Sequence, residues 1–183
     1  MATEKILSEV KDGIGRLIFN NPARHNAVSL DMWNSVEETL KTFENDNAIR
    51  VVVLSGAGGK SFVSGADISK FDTERASKKA IKQYNQRVSI VNSFVINMSK
   101  PTIAQIDGYC IGGGLGLAVY CDIRFCSQIS KFSLPAAKLG LGYPFDSSKR
   151  LVDLVGPAVT SDITFSARQL DPSEALRTGL VQK

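Results

Sequence analysis

Apolar residues in this chain gather into a few short runs and two long helical stripes, separated by glycine-containing breaks. Lys5 to Val10 and Gly15 to Phe19 carry β-branched and apolar residues and flank Asp12-Gly13, a dipeptide suited to a tight hairpin turn. The chain is therefore expected to open with a hairpin. After a loop from Asn20 to Ala27, Ser29 is placed to cap a helix in which Leu30, Trp33, Val36, Leu40 and Phe43 recur every three or four positions, the period of one buried face. Within Arg50 to Ser55, the unbroken run Val51 to Leu54 predicts a strand buried on both sides. A second helix is predicted from about Glu74 to Met98, with Ile81, Tyr84, Val88, Val91, Val95 and Met98 along one stripe and Pro101 as its stop. Thr102 to Ile106 reads as another buried strand, Gly112 to Gly116 opens a further helix, and Asp122 to Ser127 is a third strand. Helical segments are expected around Ser147 to Val155 and Pro172 to Thr178. This alternation predicts an α/β fold, and no linker, repeat or low-complexity tract divides it, so residues 1–183 form one domain.

Composition narrows the class without naming a function. With 183 residues, 43% apolar and 22% charged, the chain can bury a sizeable core as a soluble domain. A net charge of +4 is a mild excess with no block of like charges, so nucleic acid is not an expected partner. Cys110, Cys121 and Cys126 are odd in number and lack C-x-x-C spacing, which predicts neither disulfides nor a metal site but a reduced compartment with the thiols as small core residues. The polar start MATEKILSEVKDG does not resemble a signal or transit peptide, and no apolar run is long enough for a membrane span. A cytoplasmic location is the expectation.

Two of the predicted buried strands run into glycine-rich loops, SGAGGKSFVSGADISKF at 55–71 and DGYCIGGGLGLAVYC at 107–121. Loops of this kind either serve tight turns and close helix packing or present backbone N–H groups to a shared ligand. Nucleotide motifs fail on spacing. A phosphate-binding P-loop ending in Gly59-Lys60-Ser61 requires glycine at position 54, where Leu54 stands. A dinucleotide fingerprint starting at Gly112 and Gly114 requires glycine where Leu117 stands. No G-x-S-x-G nucleophile elbow is present.

Five ordered blocks carry a resemblance: NPARHNAVSLDMW (21–33), SGAGGKSFVSGADI (55–68), KPTIAQIDGYCIGGGLGLAVYCDIRFC (100–126), KFSLPAAKLGLG (131–142) and DPSEALRTGLV (171–181). Together they resemble the crotonase, or enoyl-CoA hydratase/isomerase, family over nearly the whole chain. The resemblance implies a crotonase-like spiral of β-β-α units, assembled as a homotrimer or a dimer of trimers, that binds acyl-CoA and stabilises a thioester enolate. Coenzyme A enters as part of the substrate, with no separate cofactor. By position, the N–H groups of Ala66 and Gly113 become the two oxyanion-hole donors, and Ser64, Ala66, Asp67, Ile68 and Gly113 line the thioester site. Both donors are backbone groups that cannot be titrated away, and Gly113 falls at a helix start, where negative charge is favoured. Arg24 is either a partner for a CoA phosphate or a solvated loop arginine. His25, the single histidine, is expected at the surface and not as a base.

The pattern also breaks. Hydratases of the family carry one glutamate two residues past the GGG and another directly after the proline of the next block; here those positions are Gly116 and Ala136. Where such enzymes often use a glycine N–H to hold water, Pro144 has none. Two-glutamate hydration is therefore the least expected chemistry. Asp146, Tyr143 and Asp67 are the candidate acids or bases, each with a second reading: Asp146 as a helix cap, Tyr143 as a packed aromatic, Asp67 as a loop brace. Lys138 is expected at the surface and Asp122 in a structural role. The family continues past Gly179-Leu180-Val181 with a helical segment over the acyl pocket and the oligomer interface, so the expectation is a core without that segment. If the chain is complete as given, its apolar surface is exposed; either the chain is a fragment or truncation product, or its assembly differs. Two functions follow: an enzyme acting through a thioester enolate, or a catalytically silent member that binds acyl-CoA or regulates a partner.

Overall fold

A computed structural model describes residues 5–74 and 76–183. The expected hairpin is present as β1 (Ile6–Lys11) and β2 (Ile14–Phe19), paired antiparallel. Asp12 and Gly13 between them both take positive φ, 52° and 80°, as a two-residue turn of matching twist requires. Residues 1–4 lie outside the described residues. Ser29 caps α1 (Leu30–Asn45), its hydroxyl accepting from Met32 N at 3.4 Å. Trp33, Val36, Leu40 and Phe43 are buried on the inner face of this helix.

Six more strands follow in three successive pairs: β3 (Val51–Gly56) and β4 (Ser61–Val63), β5 (Thr102–Ile106) and β6 (Tyr109–Ile111), β7 (Ile123–Cys126) and β8 (Lys131–Ser133). The first member of each pair joins a five-stranded sheet in the order β1-β2-β3-β5-β7; the second joins a three-stranded sheet in the order β4-β6-β8. Beyond the hairpin every pairing is parallel. Each β-β unit therefore turns a corner between two sheets and hands on to a helix, which generates the spiral. At one corner, a Cβ on Gly108 (φ 73°) would stand 2.0 Å from the Lys60 carbonyl oxygen, so only glycine lets the neighbouring turns touch. The β4, β6 and β8 strands were not predicted as strands. Three residues each are too few for a period to register, and the partners that make them strands are distant in sequence.

The helix expected from Glu74 to Met98 is instead two: α2 (Phe71–Glu74) and α3 (Lys78–Ile96). Ser77 separates them by accepting from Ala80 N at 3.1 Å, a local cap that interrupts the periodic pattern; Arg75 lies outside the described residues. Tyr84, Val91 and Val95 of α3 are buried, whereas Ile81, at the start of the stripe, is 38% exposed. α4 (Gly113–Ala118) starts at the glycine run as expected. α5 (Phe145–Ser166) continues past the expected Val155, bending at Gly156 (φ 78°) before Pro157. Proline fits there because the bend makes it the first position of a new helical segment, where no N–H bond is lost. α6 (Pro172–Arg177) is capped by Asp171, which accepts from Glu174 N at 2.8 Å.

Phe19, Trp33 and Phe62 meet edge to face in the core, with centroids 5.9–6.4 Å apart. Trp33 Nε1 donates to the Tyr84 hydroxyl, which donates to the Val28 carbonyl, each at 3.0 Å. This buried relay ties α1 and α3 to Val28, which in turn bridges to Ala66.

Candidate functional site

The site is assembled where the 57–67 loop meets the start of α4. Val28 and Ala66 form an isolated parallel bridge: Val28 N donates to Gly65 O at 2.8 Å and Asp67 N donates to Val28 O at 3.0 Å. In such a bridge the N–H of the middle residue points away from the partner strand, so Ala66 N–H is turned off Val28. Across from it, Gly112 takes φ 56°, ψ −116°, a conformation that a side chain would strain. Its N–H donates to Ser133 O at 2.9 Å. A Cβ on Gly113 would stand 3.9 Å from Gly65 Cα, which measures how closely the two loops approach. A Cβ on Gly114 would stand 2.1 Å from the Val63 carbonyl oxygen, so glycine there is what lets α4 lie against β4.

Ala66 and Gly113 are half-buried, and among the described residues neither N–H has a hydrogen-bond acceptor. Unpaired N–H groups away from bulk water are uncommon, and here two lie in loops that touch. α4 has only six residues, so a positive potential at this place owes little to a helix macrodipole and depends on how the local N–H groups are oriented.

Tyr143 closes one side. Its hydroxyl donates to the Gly112 carbonyl at 2.7 Å, and its ring packs on the core. Burial raises its pKa well above the usual phenol value, so at neutral pH it is a neutral donor and not a base. A Cβ on Gly116 would stand 3.2 Å from that hydroxyl oxygen. Pro135 flanks the same turn, its Cδ 3.9 Å from where a Gly112 Cβ would sit, and Ala136 follows it half-buried in the short turn Pro135–Leu139.

The other candidates are distributed unevenly. Asp67 is buried and accepts from Ser69 N at 3.1 Å and Ser69 Oγ at 2.7 Å, the geometry of a loop brace. Asp146 is exposed in the first turn of α5; Pro144 holds the N-cap position, so the capping role read from the sequence is not found. Ser64 lies in the loop, its Oγ donating to Arg24 O at 3.4 Å and its N–H to His25 O at 3.2 Å. Ile68 is 76% exposed. Arg24 is exposed, and its guanidinium has no acceptor among the described residues. His25 is exposed with its ring edge-on to Tyr109 at 5.8 Å. Lys138 is exposed, and Asp122 accepts from Thr102 N and Oγ1 at 2.7 and 2.8 Å, tying β7 to β5.

Burial pushes the Cys121 thiol up to about 12 and Cys110 well above its usual value, so neither supplies a thiolate near neutrality. No cluster of metal-ligating side chains occurs, and no helix is long and apolar enough to cross a membrane, among the described residues.

Sequence reading missed two supports. Asn26 is fully buried at φ 55°; its Nδ2 donates to Ala57 O and Ser61 O at 3.0 and 2.7 Å, and its Oδ1 accepts from Asn21 N at 2.9 Å. The signal available was an asparagine in a loop, a residue that tolerates left-handed backbone. Arg124 is 1% exposed and donates to Leu180 O and Cys121 O, each at 2.7 Å. An alternating strand pattern alone gives no hint of such a buried cation.

With this geometry in place, the comparisons decide the family. The enoyl-CoA hydratase/isomerase family model matches residues 9–183. The chain belongs to the enoyl-CoA hydratase/isomerase family. It is similar to the crotonyl-CoA hydratase of Syntrophomonas wolfei, 32% identical over all of this chain and 70% of that protein. It is also similar to the peroxisomal Delta(3,5)-Delta(2,4)-dienoyl-CoA isomerase of Arabidopsis thaliana, 33% identical over 98% of this chain and 68% of that one. Among solved structures, an enoyl-CoA hydratase/carnithine racemase from Magnetospirillum magneticum superposes with a TM-score of 0.93 at 35% identity, covering 99% of this chain and 68% of that chain. The crotonase-type fold expected from the five sequence blocks is thus the fold observed.

Proposed function

We propose that this member of the family binds an acyl- or enoyl-CoA thioester with the thioester oxygen accepted by the N–H groups of Ala66 and Gly113, and that it stabilises the enolate of that thioester. The observation that carries the reading is the pair of half-buried N–H groups without acceptors, held by two loops that meet at Gly65 and Gly113. Donors fixed in advance at an oxygen that gains charge in the transition state contribute on the order of 3 kcal/mol each. The relatives' names differ in reaction, hydratase against isomerase, yet share a CoA thioester. Arg24, exposed and unpaired on the loop joined to Ser64, supplies a cation for a CoA phosphate.

Hydration by two glutamates is disfavoured because Gly116 and Ala136 cannot move a proton, and an acid or base is worth about 10²–10⁴-fold. Isomerisation, decarboxylation or thioester hydrolysis remain, with exposed Asp146 as the acid or base. A second reading is a silent acyl-CoA binder. It is favoured by Tyr143, the one titratable side chain hydrogen-bonded to the hole's backbone among the described residues, being held neutral. The family's trimer, or dimer of trimers, accompanies either reading and is checked by light scattering.

The test mixes the protein with crotonyl-CoA and a panel of other CoA thioesters, following binding by calorimetry and turnover by enoyl absorbance and product mass. Binding, negligible hydration and turnover of another thioester are expected. Binding without any turnover selects the silent reading. Hydration at ordinary enzymatic rates overturns the inference from Gly116 and Ala136, and absence of binding overturns the proposal. If turnover occurs, an unchanged rate in Asp146→Asn removes Asp146 as the acid or base.

A further inference from the structure

We propose that Tyr143 is a positioning residue of the oxyanion hole, acting through the peptide that joins Gly112 to Gly113. This inference rests on the reading of Ala66 and Gly113 as hole donors.

The carbonyl of Gly112 and the N–H of Gly113 belong to one planar trans peptide and point in opposite directions. Whatever holds the carbonyl therefore aims the N–H. The Gly112 carbonyl accepts two hydrogen bonds, from Gly116 N at 2.9 Å and from the Tyr143 hydroxyl at 2.7 Å. The first is an ordinary helical bond, shared by any helix start. The second comes from a side chain 31 positions away whose ring is anchored in the core.

That bond has work to do at this peptide. Gly112, at φ 56° and ψ −116°, has the wide conformational freedom of glycine, and no side chain fixes the plane from the inside. A donor on the carbonyl also polarises the amide, making its N–H a stronger donor by roughly 10–30% per bond. Tyr143 remains protonated because it is buried, so its donor is present throughout the neutral range.

The space it occupies is available because residue 116 is glycine. A Cβ at 116 would stand 3.2 Å from the Tyr143 oxygen, and among the described residues no other atom lies within 4 Å of it outside the helix's own backbone and the neighbours Leu115 and Leu117. A side chain at 116 would press on the hydroxyl at this place, which would have to give by a few tenths of an ångström. The absence of a proton-transfer group at Gly116 and the carbonyl anchor from Tyr143 thus suit one another in packing, and together they favour holding a polarised thioester over moving protons at this position.

The test uses hexanoyl-CoA labelled with ¹³C at the thioester carbonyl, a saturated probe, and isotope-edited infrared spectroscopy of the bound carbonyl. Wild type is expected to move the band to lower frequency on binding. Tyr143→Phe keeps the ring, and it is expected to bind within about threefold of wild type, as loss of one neutral hydrogen bond outside the ligand allows, with the shift reduced by at least roughly 10–30%. Gly116→Ala keeps the phenol but presses its oxygen away from the carbonyl by a few tenths of an ångström, so it reduces the shift in the same direction by less than Tyr143→Phe does, without removing any group. The double variant matches Tyr143→Phe. A shift equal in wild type and both single variants overturns the role of Tyr143 and leaves the hole intact. A band unshifted by wild type overturns the hole itself and this inference with it.

Discussion

The Tyr143 hydroxyl oxygen lies 3.2 Å from the place a Cβ on Gly116 would occupy, while donating to the Gly112 carbonyl at 2.7 Å. A residue from the loop before α5 thereby fills the volume beside α4 that its own sequence leaves empty. The two positions are coupled, and that coupling is measurable as stability. Alanine is favoured over glycine inside a helix by about 1 kcal/mol. In the Tyr143→Phe background, where the crowding atom is absent, Gly116→Ala should raise stability by about that amount. In the native background the same substitution should gain less or destabilise. Thermal unfolding of the four proteins gives the difference; equal effects in both backgrounds would show that the two residues do not share the space.

Gly114→Ala should be far more damaging than Gly116→Ala, although both lie in α4. Its Cβ would meet the Val63 carbonyl oxygen at 2.1 Å, and neither backbone can yield without separating α4 from β4. A loss of about 3 kcal/mol, the upper range for overpacking, is expected in denaturant unfolding, together with loss of thioester binding by calorimetry.

Replacing Asn26 by Ala would leave the Ala57 and Ser61 carbonyls without their side-chain donor. Stranding buried acceptors costs about 1–3 kcal/mol, and since Asn26 joins the Arg24 loop to the strand leading into Ala66, thioester binding should weaken with stability. Urea denaturation and calorimetry on the same variant test this, and retention of full affinity in a destabilised protein would show that the loop is held by its remaining bonds.

Arg24→Ala should weaken binding of a CoA thioester by about tenfold, the value of one charge-assisted phosphate contact. It should leave the affinity for the corresponding pantetheine thioester, which lacks the nucleotide, unchanged. Equal weakening of both ligands would place Arg24 in the loop's structure and not at a phosphate.

Glu37 supplies an acid-sensitive contribution remote from the site. It is buried on α1, bonded to Lys41 at 2.6 Å and to Arg87; the Lys41 hydrogen bond, and with it Arg87, lowers its pKa below 4.5 in spite of the opposing effect of burial. With the folded value below the unfolded one, the stabilisation is fully present above about pH 4.5 and is lost as pH falls through the folded value. Glu37→Gln should be less stable at pH 7, and the gap should narrow on acidification. Denaturant midpoints from pH 7 to 3 check it, and a constant gap would assign the cost to packing.

By itself the sequence determined the long elements and the blocks of family resemblance. Periods of two and 3.6 act over many residues, so the stripe from Trp33 to Phe43, the run Val51 to Leu54 and the cap at Ser29 are visible without a fold. The loops holding Ala66 and Gly113 were legible too, because glycine marks positions where backbone must approach backbone. Tertiary structure alone decided the rest. The strands β4, β6 and β8 exist only because three distant segments lie side by side, and three residues carry no period of their own. Asn26 and Arg124 look like loop and strand surface until their buried carbonyl partners are in place. Tyr143 stood in the sequence as either an acid or base or a packed aromatic, and the fold joins it to the carbonyl behind Gly113. Hydrogen bonds between residues far apart in the chain depend on where the backbone brings them, and only the packed spiral of strands and helices sets that.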